Sequence, residues 1–168
     1  MKIGVISDTH DHMDNMSKAV SILNERDVDA LIHLGDYISP FCFREFDNLD
    51  EKIKNNFSGV FGNNDGDRVF LKENLGQICD LVGIELISTM DGKKIIGRHI
   101  LGEEIVDALV KSEKFDIILF GHTHSVVNEK HDNGVLVVNP GEACGYLGEE
   151  ATFSIIDTEK MDAEIIEI

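Results

Sequence analysis

The chain is poor in positive charge. It carries 15 Lys and Arg against 32 Asp and Glu, for a formal net charge of -17 over 168 residues. Long-range repulsion then opposes binding to long nucleic acid or to an anionic membrane surface. A small anion is not excluded, because cations held by some of the carboxylates would reverse the local field. Long apolar runs are also missing. None approaches the roughly 20 residues of a membrane helix. The opening segment, Met1 to Ser7, is too short for a signal peptide, so a cytoplasmic protein is expected. Cysteine is scarce: Cys42, Cys79 and Cys144 are odd in number, widely spaced and form no C-x-x-C pair. Reduced, partly buried thiols are expected from them. There is no linker, repeat or low-complexity stretch. Hydrophobic residues make up 42% of the chain, enough for a packed core. One domain over 1–168 is expected.

What is present is one form repeated along the chain. An apolar run ends in a short polar turn that carries metal-ligand residue types. The turns are Ser7-Asp8-Thr9-His10, Gly35-Asp36, Gly62-Asn63-Asn64-Asp65, Arg98-His99 and Gly121-His122-Thr123-His124. The apolar runs before them read as buried strands. A helix is expected from Asn15 to Arg26, where Met16, Ala19, Val20 and Leu23 share a face, with Asp14 or Asn15 as its cap. A short helix is read within Pro40 to Leu49. Asp91-Gly92 between two extended runs signals a hairpin. Glu103 to Lys114 reads as a helix with Ile105, Val106, Leu109 and Val110 on one face. After Val126 only strands are expected. Two flank Asp132-Asn133-Gly134, Asn139-Pro140-Gly141 stops the run, and a last pair covers Ala151 to Ile156 and Ala163 to Ile168. The order implies an α/β fold of two packed sheets with helices outside.

In sheets with crossover helices the carboxyl ends of the strands meet at one edge, where ligands bind. Asp8, His10, Asp36, Asn63 and His122 or His124 would gather there, and the five turns together supply seven candidates, His99 and both histidines of the last turn included. Their donors are oxygen and imidazole nitrogen, which suit manganese, nickel, cobalt, iron or zinc. A closed structural zinc site needs only four ligands, usually with cysteine among them. Seven suit two ions sharing one carboxylate. Such pairs hydrolyse phosphate esters by activating water and neutralising charge on phosphorus. Each turn alone has an ordinary reading, as a cap, a loop histidine or a backbone-driven turn. Their joint occurrence in this order is what argues for a site. His12, His33 and His131 lack that placement and read as structural.

The motif order resembles the calcineurin-like metallophosphoesterases. The short chain, with Asn139-Pro140-Gly141 near its end, is most similar to their small YfcE-type phosphodiesterases. The motifs span residues 8 to 141. The resemblance implies a four-layer αββα sandwich, two mixed β-sheets flanked by helices. It implies two divalent ions, manganese first. One would take Asp8, His10 and His124, the other Asn63, His99 and His122, and Asp36 would bridge. Asp65 would support the ligands. The implied partner is a small phosphodiester, and self-assembly is left open. Two positions depart from the family. Asn64 stands where many members have a histidine that protonates the leaving group; an amide can only hydrogen-bond a phosphoryl oxygen. Arg98-His99-Ile100-Leu101 replaces a His-Gly-His run, and Arg98 is a candidate to supply the lost phosphate contact. The competing readings are a phosphomonoesterase, or a non-catalytic binding module like the small retromer subunit.

Overall fold

The computed structural model describes residues 1–148 and 150–168. Its first half alternates strand and helix: β1 (Lys2–Ile6), α1 (Met13–Glu25), β2 (Ala30–His33), α2 (Phe43–Phe46), α3 (Glu51–Lys54), β3 (Phe57–Gly59), α4 (Arg68–Leu75) and β4 (Asp80–Leu81). A 3-10 turn at Pro40–Cys42 leads into α2. The hairpin of β5 (Glu85–Met90) and β6 (Lys93–Arg98) follows, then α5 (Glu103–Ser112) and β7 (Ile117–Phe120). The chain ends in β8 (Val126–Lys130), β9 (Leu136–Pro140), β10 (Thr152–Asp157) and β11 (Asp162–Glu167). The first sheet has the order β11-β10-β1-β2-β3-β4, the second β5-β6-β7-β9-β8. β1, β2, β3 and β4 run parallel, as do β6, β7 and β9.

Alternate residues of each central strand face two different apolar layers, so these strands are largely apolar on both faces. Ile3, Val5, Ile32 and Leu34 meet Ile95, Ile117, Leu119 and Val138 between the sheets. Ile6 and Leu31 face α1, whose Met16, Ala19, Val20 and Leu23 are buried as their helical spacing predicts. Ile96, Ile118 and Val137 face α5 through Val106, Leu109 and Val110. Ile105, expected on that face, is 52% exposed instead. The four layers are therefore helices, sheet, sheet and helix. Among the described residues no helix is long and apolar enough to cross a membrane. All three cysteines are buried and free.

Several elements differ from their expected form. The cap of α1 is His12, not Asp14 or Asn15; its Nδ1 accepts from the Asn15 N–H at 3.2 Å. The Asn15 side chain is drawn inward, where its amide donates to the Ala143 and Cys144 carbonyls. β9 continues through Asn139 to Pro140, where a stop was expected. Proline is tolerated there because the ladder with β7 ends at Val138, so at Pro140 one side of the strand is already an edge. The sequence did not announce α3, α4 or β4. α4 buries only Leu71 and Leu75, so its apolar stripe is faint, although Asp67 caps it by accepting from the Phe70 N–H.

Candidate metal centre

The carboxyl ends of β1, β2, β3, β6 and β7 open onto one edge, and the polar turns lie there. Their backbone is unusual. Asp8, His10, Asp36, His122 and His124 all have positive φ, between 42° and 67°. This left-handed region costs residues other than glycine roughly 1–3 kcal/mol each and persists where the surroundings over-determine it, commonly at functional sites. Close approach enforces it here. A Cβ on Gly62 would strike the Asp36 carboxylate, and one on Gly121 would strike the Ser7 hydroxyl.

The side chains converge. Asp8 Oδ2 accepts from the Ser7 hydroxyl at 2.5 Å and the His122 N–H at 3.0 Å. Its Oδ1 is buried without a hydrogen-bond partner, as is His10 Nε2. Oδ1 faces His124 Nε2 at 3.3 Å, His10 Nε2 at 3.7 Å and His99 Nε2 at 3.9 Å. Asp36 Oδ2 faces His99 Nε2 at 3.3 Å and His10 Nε2 at 3.6 Å. The Asn63 side-chain oxygen lies 3.0 Å from His99 Nε2. His122 is exposed and packs its ring against His99, with centroids 5.2 Å apart.

The ring tautomers decide what fits between these atoms. His99 Nδ1 donates to the Leu34 carbonyl at 2.9 Å, and His124 Nδ1 donates to Glu142 at 2.7 Å. In each neutral ring that leaves Nε2 as a lone pair aimed at carboxylate or amide oxygens. Lone pairs facing lone pairs in a buried site repel unless a proton or a metal cation lies among them. The donor set therefore fits divalent cations, with each ring oriented by the hydrogen bond on its far side.

The supporting residues are as informative. Asp65 accepts from the N–H groups of Gly62, Asp36, Tyr37 and Ile38. It thereby ties the turn after β2 to the turn after β3. Asn64 donates to both oxygens of Asp36, from its main chain at 2.8 Å and its side chain at 2.7 Å. Arg98 lies beside His99 at the rim, its Nε 3.8 Å from a Glu85 oxygen. Buried His33 accepts from the Gly35 N–H, so its other nitrogen can donate to Thr9; burial pushes its pKa down to about 3 and keeps it neutral.

Sequence reading missed Glu142 and Cys144. Glu142 is 1% exposed and accepts from His124, the Cys144 thiol and the N–H groups of Tyr146, Leu147 and Gly148. Burial raises its pKa, but the bonds from Cys144, Gly148, His124 and Leu147 outweigh burial and bring it to about 2. The only signal in the sequence was its place directly after Asn139-Pro140-Gly141. The Cys144 sulfur lies within 4.8 Å of candidate ligand atoms of His10 and His124. Burial and the Glu142 carboxylate push its pKa to about 12, so it serves as a donor rather than a thiolate.

Burial also raises the acids at the centre, but their partners overcome it. His10 and Ser7 bring Asp8 below its ordinary range, and His99 and Asn64 do so for Asp36. In return Asp8 raises His10, and Asp36 with Asp8 raises His99 against the opposing effect of burial. Both imidazoles hold a proton to higher pH than the usual 6.5. An imidazole must be neutral to ligate. Manganese affinity is therefore expected to weaken as pH falls, beginning above 6.5. Calorimetric titration at about pH 8, 7 and 6 measures this. Affinity unchanged over that range would remove these rings from the ligand set.

The whole architecture has known counterparts. Residues 1–161 match the family model of the Calcineurin-like phosphoesterase superfamily domain. Phosphodiesterase MJ0936 of Methanocaldococcus jannaschii is 42% identical over 168 residues, covering 96% of each chain. A solved structure described as a novel archaeal phosphodiesterase superposes with a TM-score of 0.90 at 40% identity over 100% of both chains. The E. coli phosphoesterase Yfce shares the fold, with a TM-score of 0.71 at 16% identity over 100% of both chains. A match over nearly the full length to the family model and to a relative at this identity means that the chain belongs to the calcineurin-like phosphoesterase superfamily.

Proposed function

We propose that this phosphoesterase is a phosphodiesterase acting on small diesters, with two divalent ions held across Asp36. The convergence of Asp8 Oδ1 and Asp36 Oδ2 on the free nitrogens of His10, His99 and His124 carries the reading. Asp8, His10 and His124 would hold one ion, manganese before nickel, cobalt, iron or zinc. Asn63, His99 and His122 would hold the other. Such ions supply Lewis-acid activation of water and neutralise charge on the phosphate. The fold's first and last strands share one sheet, which supports a single domain over 1–168.

The chain's own residues set the preference. Asn64 fixes both oxygens of Asp36 and keeps a second side-chain N–H for a phosphoryl oxygen. It has no proton to give a leaving group near neutral pH. Esters whose alcohol departs without that proton are therefore favoured. Asp65 holds the Asp36 and Asn63 turns in register, and Arg98 adds positive charge at the rim. The name of the archaeal relative, a phosphodiesterase, supports the diester reading.

The experiment compares bis(4-nitrophenyl) phosphate with 4-nitrophenyl phosphate on protein loaded with manganese, nickel or cobalt. His122→Ala is the control, since it removes an exposed ligand and leaves the core alone. The expected result is diester turnover well above monoester turnover, lost in the control. Faster monoester turnover would make the protein a monoesterase. Turnover equal to the control under all three metals would remove the proposed chemistry.

A further inference from the structure

Beside the centre lies a cavity of about 200 Å³. Asn63 and His99, on the side of the proposed second ion, form one wall. Phe61, Ile84 and Ile100 supply apolar lining, and Gly62, Arg68 and Arg98 complete it. Ile84 is 58% exposed and Ile100 49% exposed, so large apolar side chains face solvent next to a polar centre. Apolar surface gathered in a concave site with a few polar groups is the usual form of a ligand pocket.

The cations make the cavity more specific. The chain has only 15 basic residues at a net charge of -17, yet two of its arginines meet here. Arg68 is held in place: it donates to the Gly62 carbonyl at 2.6 Å and lies 5.3 Å over the Phe61 ring. A planar guanidinium stacks on flat unsaturated rings as well as attracting anions. The volume falls below the roughly 300 Å³ of pockets that take a whole small molecule. It suits one substituent, with the phosphate lying outside on the wall of Asn63 and His99.

We infer that this cavity receives a flat, unsaturated ring carried by one alcohol of the diester, an aryl group or a nucleobase. The inference rests on the diesterase reading for its substrate. The cavity reads that ring through its isoleucines and its two arginines. It thus selects among diesters that the metal centre would treat alike.

Binding rather than turnover tests it. Phenylphosphonate, cyclohexylphosphonate and methylphosphonate share one anionic head and are not hydrolysed. Their Kd values are measured by calorimetry on manganese-loaded protein. Phenylphosphonate is expected to bind about tenfold tighter than methylphosphonate, the low end of what a filled apolar pocket discriminates. Cyclohexylphosphonate is expected to fall between them. In Ile84→Ser/Ile100→Ser the phenyl-to-methyl ratio is expected to approach one. These side chains are exposed, so the fold is expected to survive; should it not, Arg98→Gln is the second variant and the ratio is expected to fall there too. Equal affinities in the unaltered protein, a ratio unmoved by the variants, or cyclohexyl binding as tight as phenyl would each overturn the inference. None of these outcomes depends on turnover, so a failed diesterase reading would be seen separately.

Discussion

Asp36→Ala is expected to lose diester hydrolysis and tight binding of both ions together. Asp36 Oδ2 stands between His99 at 3.3 Å and His10 at 3.6 Å, the rings assigned to different ions. Asp8 Oδ1 leans toward His124 instead, at 3.3 Å. Removing Asp36 also takes both acceptors from Asn64 and loosens the turn that presents Asn63. Losing a supporting residue alone costs about 10–100-fold in metal affinity, so a lost shared ligand is expected to cost more than about a hundredfold. Turnover is expected to fall by about a thousandfold or more, the upper end for one lost electrostatic stabiliser. Without metal the variant is expected to melt somewhat lower than the parent, because His99 and Asn64 hold the Asp36 carboxyl below its ordinary range and its loss leaves the Asn64 donors without their acceptors. Metal content after dialysis and melting with and without manganese read these effects. Two ions still held tightly would end the bridging assignment.

Glu142→Gln is expected to damage both the centre and the fold around it. The carboxylate accepts from five donors, and an amide of the same size turns one acceptor oxygen into another donor. Each buried donor left unsatisfied costs about 1–3 kcal/mol. His124 would lose the partner that aims its Nε2 at Asp8, which is expected to weaken metal binding about 10–100-fold. The loss of stability is expected to depend on pH. The folded-state pKa of Glu142 is depressed from 4.5 to about 2. Its stabilising contribution is therefore full above 4.5 and disappears as pH falls toward about 2. The gap between parent and variant in denaturant titrations is expected to be widest near neutrality and to close in acid. A gap that did not narrow would mean that the carboxylate's charge is not what matters.

Local order in the sequence was enough to show much of this protein. The central strands are apolar on both faces because each lies between two packed layers, so they stood out as runs. The motifs stood out because each interrupts such a run with Asp, Asn or His. α1 was legible from Met16, Ala19, Val20 and Leu23, since a helix against a sheet needs one apolar stripe. Weak stripes were not legible: α4 buries only Leu71 and Leu75. The tertiary structure alone decided whatever depends on partners distant in the chain. It placed β10 beside β1, so the last strands of the chain extend the first sheet. It drew Asn15 inward to the carbonyls of Ala143 and Cys144 and left the cap of α1 to His12. It set Glu142 behind His124, and it brought Arg68 and Arg98 to one cavity. A glutamate or an arginine in a sequence is ordinarily a solvated surface residue. It acquires another role only when folding removes water and supplies its partners, and a linear pattern of residue types carries neither.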